Sequence, residues 1–151
     1  MELKQLYTDL ILEYNRDKTN KREIFEPTVK EHGHNPSCGD DIDVAVKIEN
    51  GVIKDLAYTG SGCAISQASA AMMAELLMGQ TVDEALRLCR LFLDMIRGKV
   101  TDESRLEELE VAITLKDISK MPVRVKCATL GWHTLEIALE RLEKELRNEM
   151  K

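Results

Sequence analysis

The chain has 151 residues, 44% of them apolar and 32% charged, the make-up of a globular protein of about one domain. At this length folding buries about 70% of the surface that the unfolded chain exposes, so disulfides are not needed for stability. Lys and Arg number 21 against 27 Asp and Glu, a net charge of -6 that argues against a nucleic-acid binder, and no apolar run approaches the roughly 20 residues of a membrane span.

Met1 opens on an amphipathic pattern instead of a signal-peptide core, which predicts a cytoplasmic protein with reduced thiols. Apolar residues at Leu3, Leu6, Tyr7, Leu10, Ile11 and Tyr14 keep one helical face and predict a first helix over 3–14. Residues 15–27 are polar and aperiodic, a connecting loop, and Thr28 to His32 form a short strand. Ile42, Val44, Val46 and Ile48 alternate with Asp43, Ala45, Lys47 and Glu49, the pattern of a strand with one buried face. Val52 to Thr59 returns as the second strand of a hairpin. A two-residue loop at Asn50-Gly51 would pair Val46 with Asp55 and bury a carboxylate. A three-residue loop with Gly51 in a G1 bulge instead pairs Val46 with Lys54, Val44 with Leu56 and Ile42 with Tyr58, and sets Asp40 opposite Gly60.

Ala64 to Met78 is a small-residue helix closed by Gly79, and Thr81 with Glu84 forms a capping box for a helix to Arg97. Residues 98–120 are charged and only partly periodic, an insertion with a short helix. Pro122 opens the last helix, whose Val125, Ala128, Trp132, Leu135, Leu139, Leu142 and Leu146 share a face for six turns. These elements predict a single α+β domain spanning residues 1–151: a small antiparallel sheet of about three strands with helices packed on one face.

The four cysteines, Cys38, Cys63, Cys89 and Cys127, lack the paired spacing of a zinc ribbon, so context must separate them. Cys89 lies within the apolar stripe of its helix and reads as a small core hydrophobe. Cys38 falls in the turn-forming run Asn35-Pro36-Ser37-Cys38-Gly39-Asp40. Cys63 follows Gly60-Ser61-Gly62 at a helix start, where the helix dipole favours a thiolate. Cys127 is in the first turns of the last helix, at the edge of its stripe, with Arg124 on the same side. Cys38 and Cys63 meet at the open end of one hairpin, and Cys127 joins them if the last helix begins nearby. Three thiolates with the Asp40 carboxylate would fill a tetrahedral zinc site; isolated thiols that never meet are the alternative.

The segments Asn35-Pro36-Ser37-Cys38-Gly39-Asp40, Gly60-Ser61-Gly62-Cys63-Ala64-Ile65-Ser66-Gln67-Ala68-Ser69-Ala70 and Pro122-Val123-Arg124-Val125-Lys126-Cys127-Ala128 closely resemble the three cysteine motifs of the iron-sulfur cluster assembly family that includes IscU, NifU N-terminal domains and SufU. The resemblance implies metal ligands at Cys38, Asp40, Cys63 and Cys127 and none at Cys89. IscU-type members carry a histidine before the third cysteine, where this chain has Lys126, and the 98–120 stretch resembles the insertion of SufU-type members. The SufU branch implies a zinc-dependent sulfur-transfer protein that takes persulfide sulfur from a SufS-like cysteine desulfurase and feeds downstream iron-sulfur assembly proteins.

In that reading Cys38, on a turn that can swing, is the sulfur acceptor, and Arg124 stabilises the anionic sulfur or contacts Asp40. A scaffold that transiently holds a [2Fe-2S] cluster on the same residues is the alternative, and a purely structural zinc module is a third. His32 and His34 precede Cys38 but read as solvated residues on one strand face, and His133 as a surface or packing residue. Met72, Met73 and Met78 read as core filling, and Ser66 and Ser69 have no histidine partner for nucleophilic catalysis.

Overall fold

The computed structural model describes residues 3–149, with side chains from residue 8 onward, so Met1 and the side chains of Leu3, Leu6 and Tyr7 lie outside the described residues. Three strands, β1 (Val29–Asn35), β2 (Asp40–Glu49) and β3 (Val52–Ser61), make an antiparallel sheet in the order β1-β2-β3. The alternation of β2 sets its two faces: Ile42, Val44 and Val46 are buried in the core. β1 runs to Asn35, three residues past the end expected from its side chains, because its backbone goes on pairing with β2 as far as Asn35 opposite Asp40. Gly33 is needed there, since a Cβ at that position would run into Thr134 Oγ1.

The β2–β3 register differs from the expected one. The turn is the two-residue Asn50-Gly51 loop, both residues left-handed at φ 52° and 77°, with Glu49 opposite Val52. The bulge lies not at Gly51 but further in: Ile48 pairs with Ile53 and Lys47 with Asp55, which leaves Lys54 as the extra residue. Beyond it Val46 pairs with Leu56, Val44 with Tyr58 and Ile42 with Gly60, two residues from the expected partners. A bulge at Lys54 keeps the tight turn and still puts both Ile53 and Leu56, three apart in sequence, on the core face, where each is 0% exposed.

Among the described residues five α-helices complete the fold: α1 (Leu3–Arg16), α2 (Ala64–Leu77), α3 (Val82–Ile96), α4 (Glu103–Leu106) and α5 (Pro122–Glu149). The core-facing side of the sheet carries α2 and α5, with α1 against α2 and α3 against α5. The opposite face is covered by the loop from residue 17 to 28, which hydrogen-bonds Tyr58 through Asn20 O and ties Arg22 to Asp55 at 2.6 and 2.9 Å, over the buried Ala45 and Ala57. Tyr58 itself is buried, and desolvation pushes its pKa up to about 12. The Thr81 hydroxyl caps α3 at the Glu84 N–H, whereas the Glu84 carboxylate turns to Arg87 instead of closing the capping box. α5 is pinned at its start: Trp132 Nε1 donates to Ser69 Oγ at 2.9 Å, that hydroxyl donates to Ala128 O at 2.6 Å, and the indole stacks on Phe92 at 3.9 Å. Its apolar stripe is buried as far as Leu139, but Leu146 is 51% exposed near the end.

The stretch 98–120 is more ordered than its partial periodicity suggests. After α4 the chain continues as a 3-10 helix over Glu107–Lys120, broken at Glu110 by a left-handed φ of 52°. Leu106, Leu109, Ala112, Leu115 and Ile118 are all buried. They recur every third residue, the period of a 3-10 helix, which is why a search at about 3.6 residues finds little.

His32 stands at the sheet surface with Nδ1 2.7 Å from Asp43 Oδ1 and Nε2 3.3 Å from Asp41 Oδ1. The hydrogen bond to Asp43, followed by the charges of Asp41 and Asp43, raises its pKa above the ordinary value. The folded state therefore favours the protonated ring: the stabilisation is fully present below about pH 6.5 and is lost as the pH rises through the raised value. An NMR titration of the ring is expected to give a midpoint above about 6.5 that drops towards it in Asp43→Asn; a midpoint below that value contradicts the pairing.

Candidate metal centre

Each of three motifs ends or begins an element, and the ends converge. Cys38 is exposed in the loop between β1 and β2, Asp40 is the first residue of β2, Cys63 caps α2, and Cys127 is in the second turn of α5. Cys38 Sγ is 3.2 Å from Cys127 Sγ and donates to Asp40 Oδ2 at 2.8 Å. One ligand atom from each of Cys38, Asp40 and Cys127 lies within 4.8 Å of the others. The Cys63 backbone N–H donates to Asp40 Oδ1 at 2.8 Å, while its thiol accepts from the Ser66 N–H at 3.5 Å as the helix cap. Cys127 is 1% exposed, yet it faces this cluster rather than the apolar core. Its pKa is pushed well up, first by burial and then by hydrogen bonds with the Cys38 and Cys63 thiols.

Asp40 is the centre of the arrangement. Its carboxyl group is 0% exposed, accepts from a backbone N–H and a thiol, and has no cationic partner among the described residues. A buried carboxylate that accepts two hydrogen bonds and has no cationic partner has the chemistry of a metal ligand. The donor set suits a borderline-soft divalent ion: thiolates with one carboxylate are zinc ligands. Zinc bonds of about 2.3 Å to sulfur need tetrahedral edges of roughly 3.7 Å, so the observed contacts are those of the same ligands closed on one another by hydrogen bonds.

Two glycines keep the loops together. Gly60 has φ 121°, and a Cβ there would strike Asp41 O. At Gly62 a Cβ would stand 2.5 Å from Asp40 Oδ1 and 2.7 Å from Ser66 Oγ. Asn35 is a further participant that sequence reasoning treated only as a turn former: it is buried, its Oδ1 accepts from the Ser37 N–H, and its Nδ2 donates to Cys38 Sγ at 2.8 Å. The Asn-Pro-Ser order, an Asx turn leading into the cysteine, was the available signal. Ser66 and Gln67, in the turn after Cys63, are also buried, with Ser66 Oγ and both Gln67 amide atoms unpartnered.

Other candidates are placed elsewhere. Arg124 is exposed, and among the described residues its side chain makes no hydrogen bond or ion pair. Cys89 is wholly buried, and desolvation pushes its thiol pKa well up, as expected of a core residue. His32 and His34 are exposed on β1, and His133 pairs with Glu136 at 3.5 Å.

The fold and cluster thus define an α+β domain with a thiol and carboxylate centre at one end of its sheet. Residues 6–93 match the NifU-like N terminal domain, and the chain belongs to that family. It is 40% identical over 144 residues to the iron-sulfur cluster assembly scaffold protein IscU of Thermotoga maritima, covering 95% of this chain and 99% of that one. It is 36% identical over 142 residues to the zinc-dependent sulfurtransferase SufU of Bacillus subtilis, covering 93% and 94%. Among solved structures, an iron-sulfur cluster assembly scaffold protein for the SUF system from Fervidobacterium islandicum superposes with a TM-score of 0.83 at 38% identity, covering 89% of this chain and 97% of that one.

Replacing Cys89 with Ala is expected to lower stability by about 1–2 kcal/mol through the lost packing and to leave bound metal unchanged. Asp40→Ala is expected to lower metal retention while thermal unfolding remains cooperative. Elemental analysis and calorimetry check both; metal lost on replacing Cys89 contradicts the assignment.

Proposed function

We propose that this protein is a SufU-type, zinc-dependent sulfur-transfer protein of iron-sulfur cluster biogenesis, acting in the cytoplasm with a SufS-like cysteine desulfurase and with downstream assembly proteins. The observation that carries this reading is the exposed Cys38 thiol held against a buried carboxylate and a buried second thiol. Cys38, Asp40, Cys63 and Cys127 would hold the metal, with Cys63 turning from the Ser66 N–H to complete the set. Zinc bound there supplies charge that keeps thiols deprotonated at neutral pH. Cys38 is the nucleophile because it is exposed and sits in a turn, whereas Cys63 and Cys127 are built into helices. Its thiolate attacks the outer sulfur of the desulfurase persulfide; the new sulfur-sulfur bond forms on Cys38, and the desulfurase thiolate leaves. Asn35 donates to the Cys38 sulfur and holds it through the exchange. Arg124, one turn from Cys127 and exposed, would offer its charge to the incoming anionic sulfur.

The relative named as an IscU scaffold supports a second reading, in which the same residues hold a transient [2Fe-2S] cluster. Protein purified without oxygen distinguishes the two: colourless with one zinc per chain fits sulfur transfer, and brown with iron and sulfide fits the scaffold. When the reaction with a cysteine desulfurase and cysteine is quenched within its first turnovers, peptide mass spectrometry is expected to find sulfur newly arrived on Cys38 and none in Cys38→Ala. Sulfur carried only by Cys63 or Cys127 would overturn the assignment.

A further inference from the structure

We propose that Cys127 is the resolving thiol of this site: it displaces the carried sulfur from Cys38 and releases it as hydrogen sulfide, leaving a Cys38–Cys127 disulfide. The inference rests on the reading that Cys38 accepts persulfide sulfur, and it adds the form in which that sulfur leaves.

Distance and burial together carry it. Cys127 Sγ lies 3.2 Å from Cys38 Sγ, a near-attack separation. Displacement at sulfur is in line, so the attacking atom and the departing one must stand on opposite sides of the sulfur between them. Cys127 is 1% exposed and approaches Cys38 Sγ from inside the protein, whereas Cys38 opens to solvent, where an added sulfur finds room. Asn35 Nδ2, 2.8 Å away, donates to the inner sulfur and holds it between the two. Cys63 is placed differently: its thiol caps α2 and is absent from the group whose ligand atoms lie within 4.8 Å of one another.

The step balances within the loaded protein. Cys127 sulfur bonds to Cys38 Sγ as the bond from Cys38 Sγ to the outer sulfur breaks. The electron pair of that bond departs with the outer sulfur, which takes up the Cys127 proton and leaves as hydrogen sulfide. The outer sulfur is reduced and the two cysteine sulfurs are oxidised to the disulfide. One round needs no outside reductant; a further round needs a dithiol reductant of the thioredoxin class to reopen the pair. The two sulfurs couple only while neither is tied to a metal ion, so the step follows release of Cys127, as well as of Cys38, from the ion.

The test loads the full chain, without oxygen, using a cysteine desulfurase and about one equivalent of cysteine, which the desulfurase consumes, so that no free thiol remains to reduce the product. The quenched wild-type protein is expected to show a Cys38–Cys127 linked peptide with two hydrogens lost, and about one sulfide per chain without added reductant. In Cys127→Ser the extra sulfur should stay on Cys38 and free sulfide should fall by at least roughly tenfold. A wild-type protein that keeps a stable Cys38 persulfide, or links Cys38 to Cys63, overturns the proposal, and this arm decides even if the variant folds poorly. Wild-type protein with neither the linked peptide nor added sulfur on Cys38 would instead remove the acceptor reading beneath it.

Discussion

A wholly buried carboxylate has to be satisfied on every side, and Asp40 organises this protein around that requirement. It stands at the first position of β2, at the end of the sheet where the β1–β2 loop and the exit of β3 lie side by side. One oxygen takes the Cys63 N–H and so fixes the start of α2; the other takes the Cys38 thiol and so fixes the loop. Gly62 leaves the space that the carboxylate fills. Helix α5 delivers Cys127 to the same place because Trp132 and Ala128 lock its early turns onto Ser69 of α2. The apolar core therefore positions the chemistry without taking part in it.

Three of the four site residues are built into regular elements and one stands on a loop. Cys63 and Cys127 belong to helices, Asp40 to a strand, and only Cys38 stands on an exposed turn. A thiol on such a turn can meet a partner protein while its ligand neighbours stay still, which suits transfer of one atom from another protein's surface. The same burial that raises the Cys127 pKa keeps that thiol out of solvent.

Much of this was legible in the sequence. Strict alternation at 42–48 gave the central strand and its core face, and the small-residue run after Cys63 gave a helix that packs on several sides. Sorting the cysteines by context separated Cys89 from the other three, since a core position and an element boundary carry different neighbours. The hairpin register was missed because alternation does not fix where a bulge falls: moving it from Gly51 to Lys54 keeps Leu56 and Tyr58 on the core face, turns Ile53 inward and Lys54 outward, and shifts every pair. The ordered 98–120 stretch was hidden by its period of three. Asn35 and Gly62 were missed because their roles depend on a cross-strand neighbour, Asp40, and on the loop conformation that no local pattern encodes.

The central claim is that one ion is held by three thiolates and the buried Asp40 carboxylate. X-ray absorption at the metal edge of the full-length, zinc-loaded protein tests it most directly. The account predicts three sulfur ligands at about 2.3 Å and one oxygen at about 2.0 Å. A shell containing imidazole nitrogen, or one unchanged when Asp40 is replaced by Ala, would contradict it.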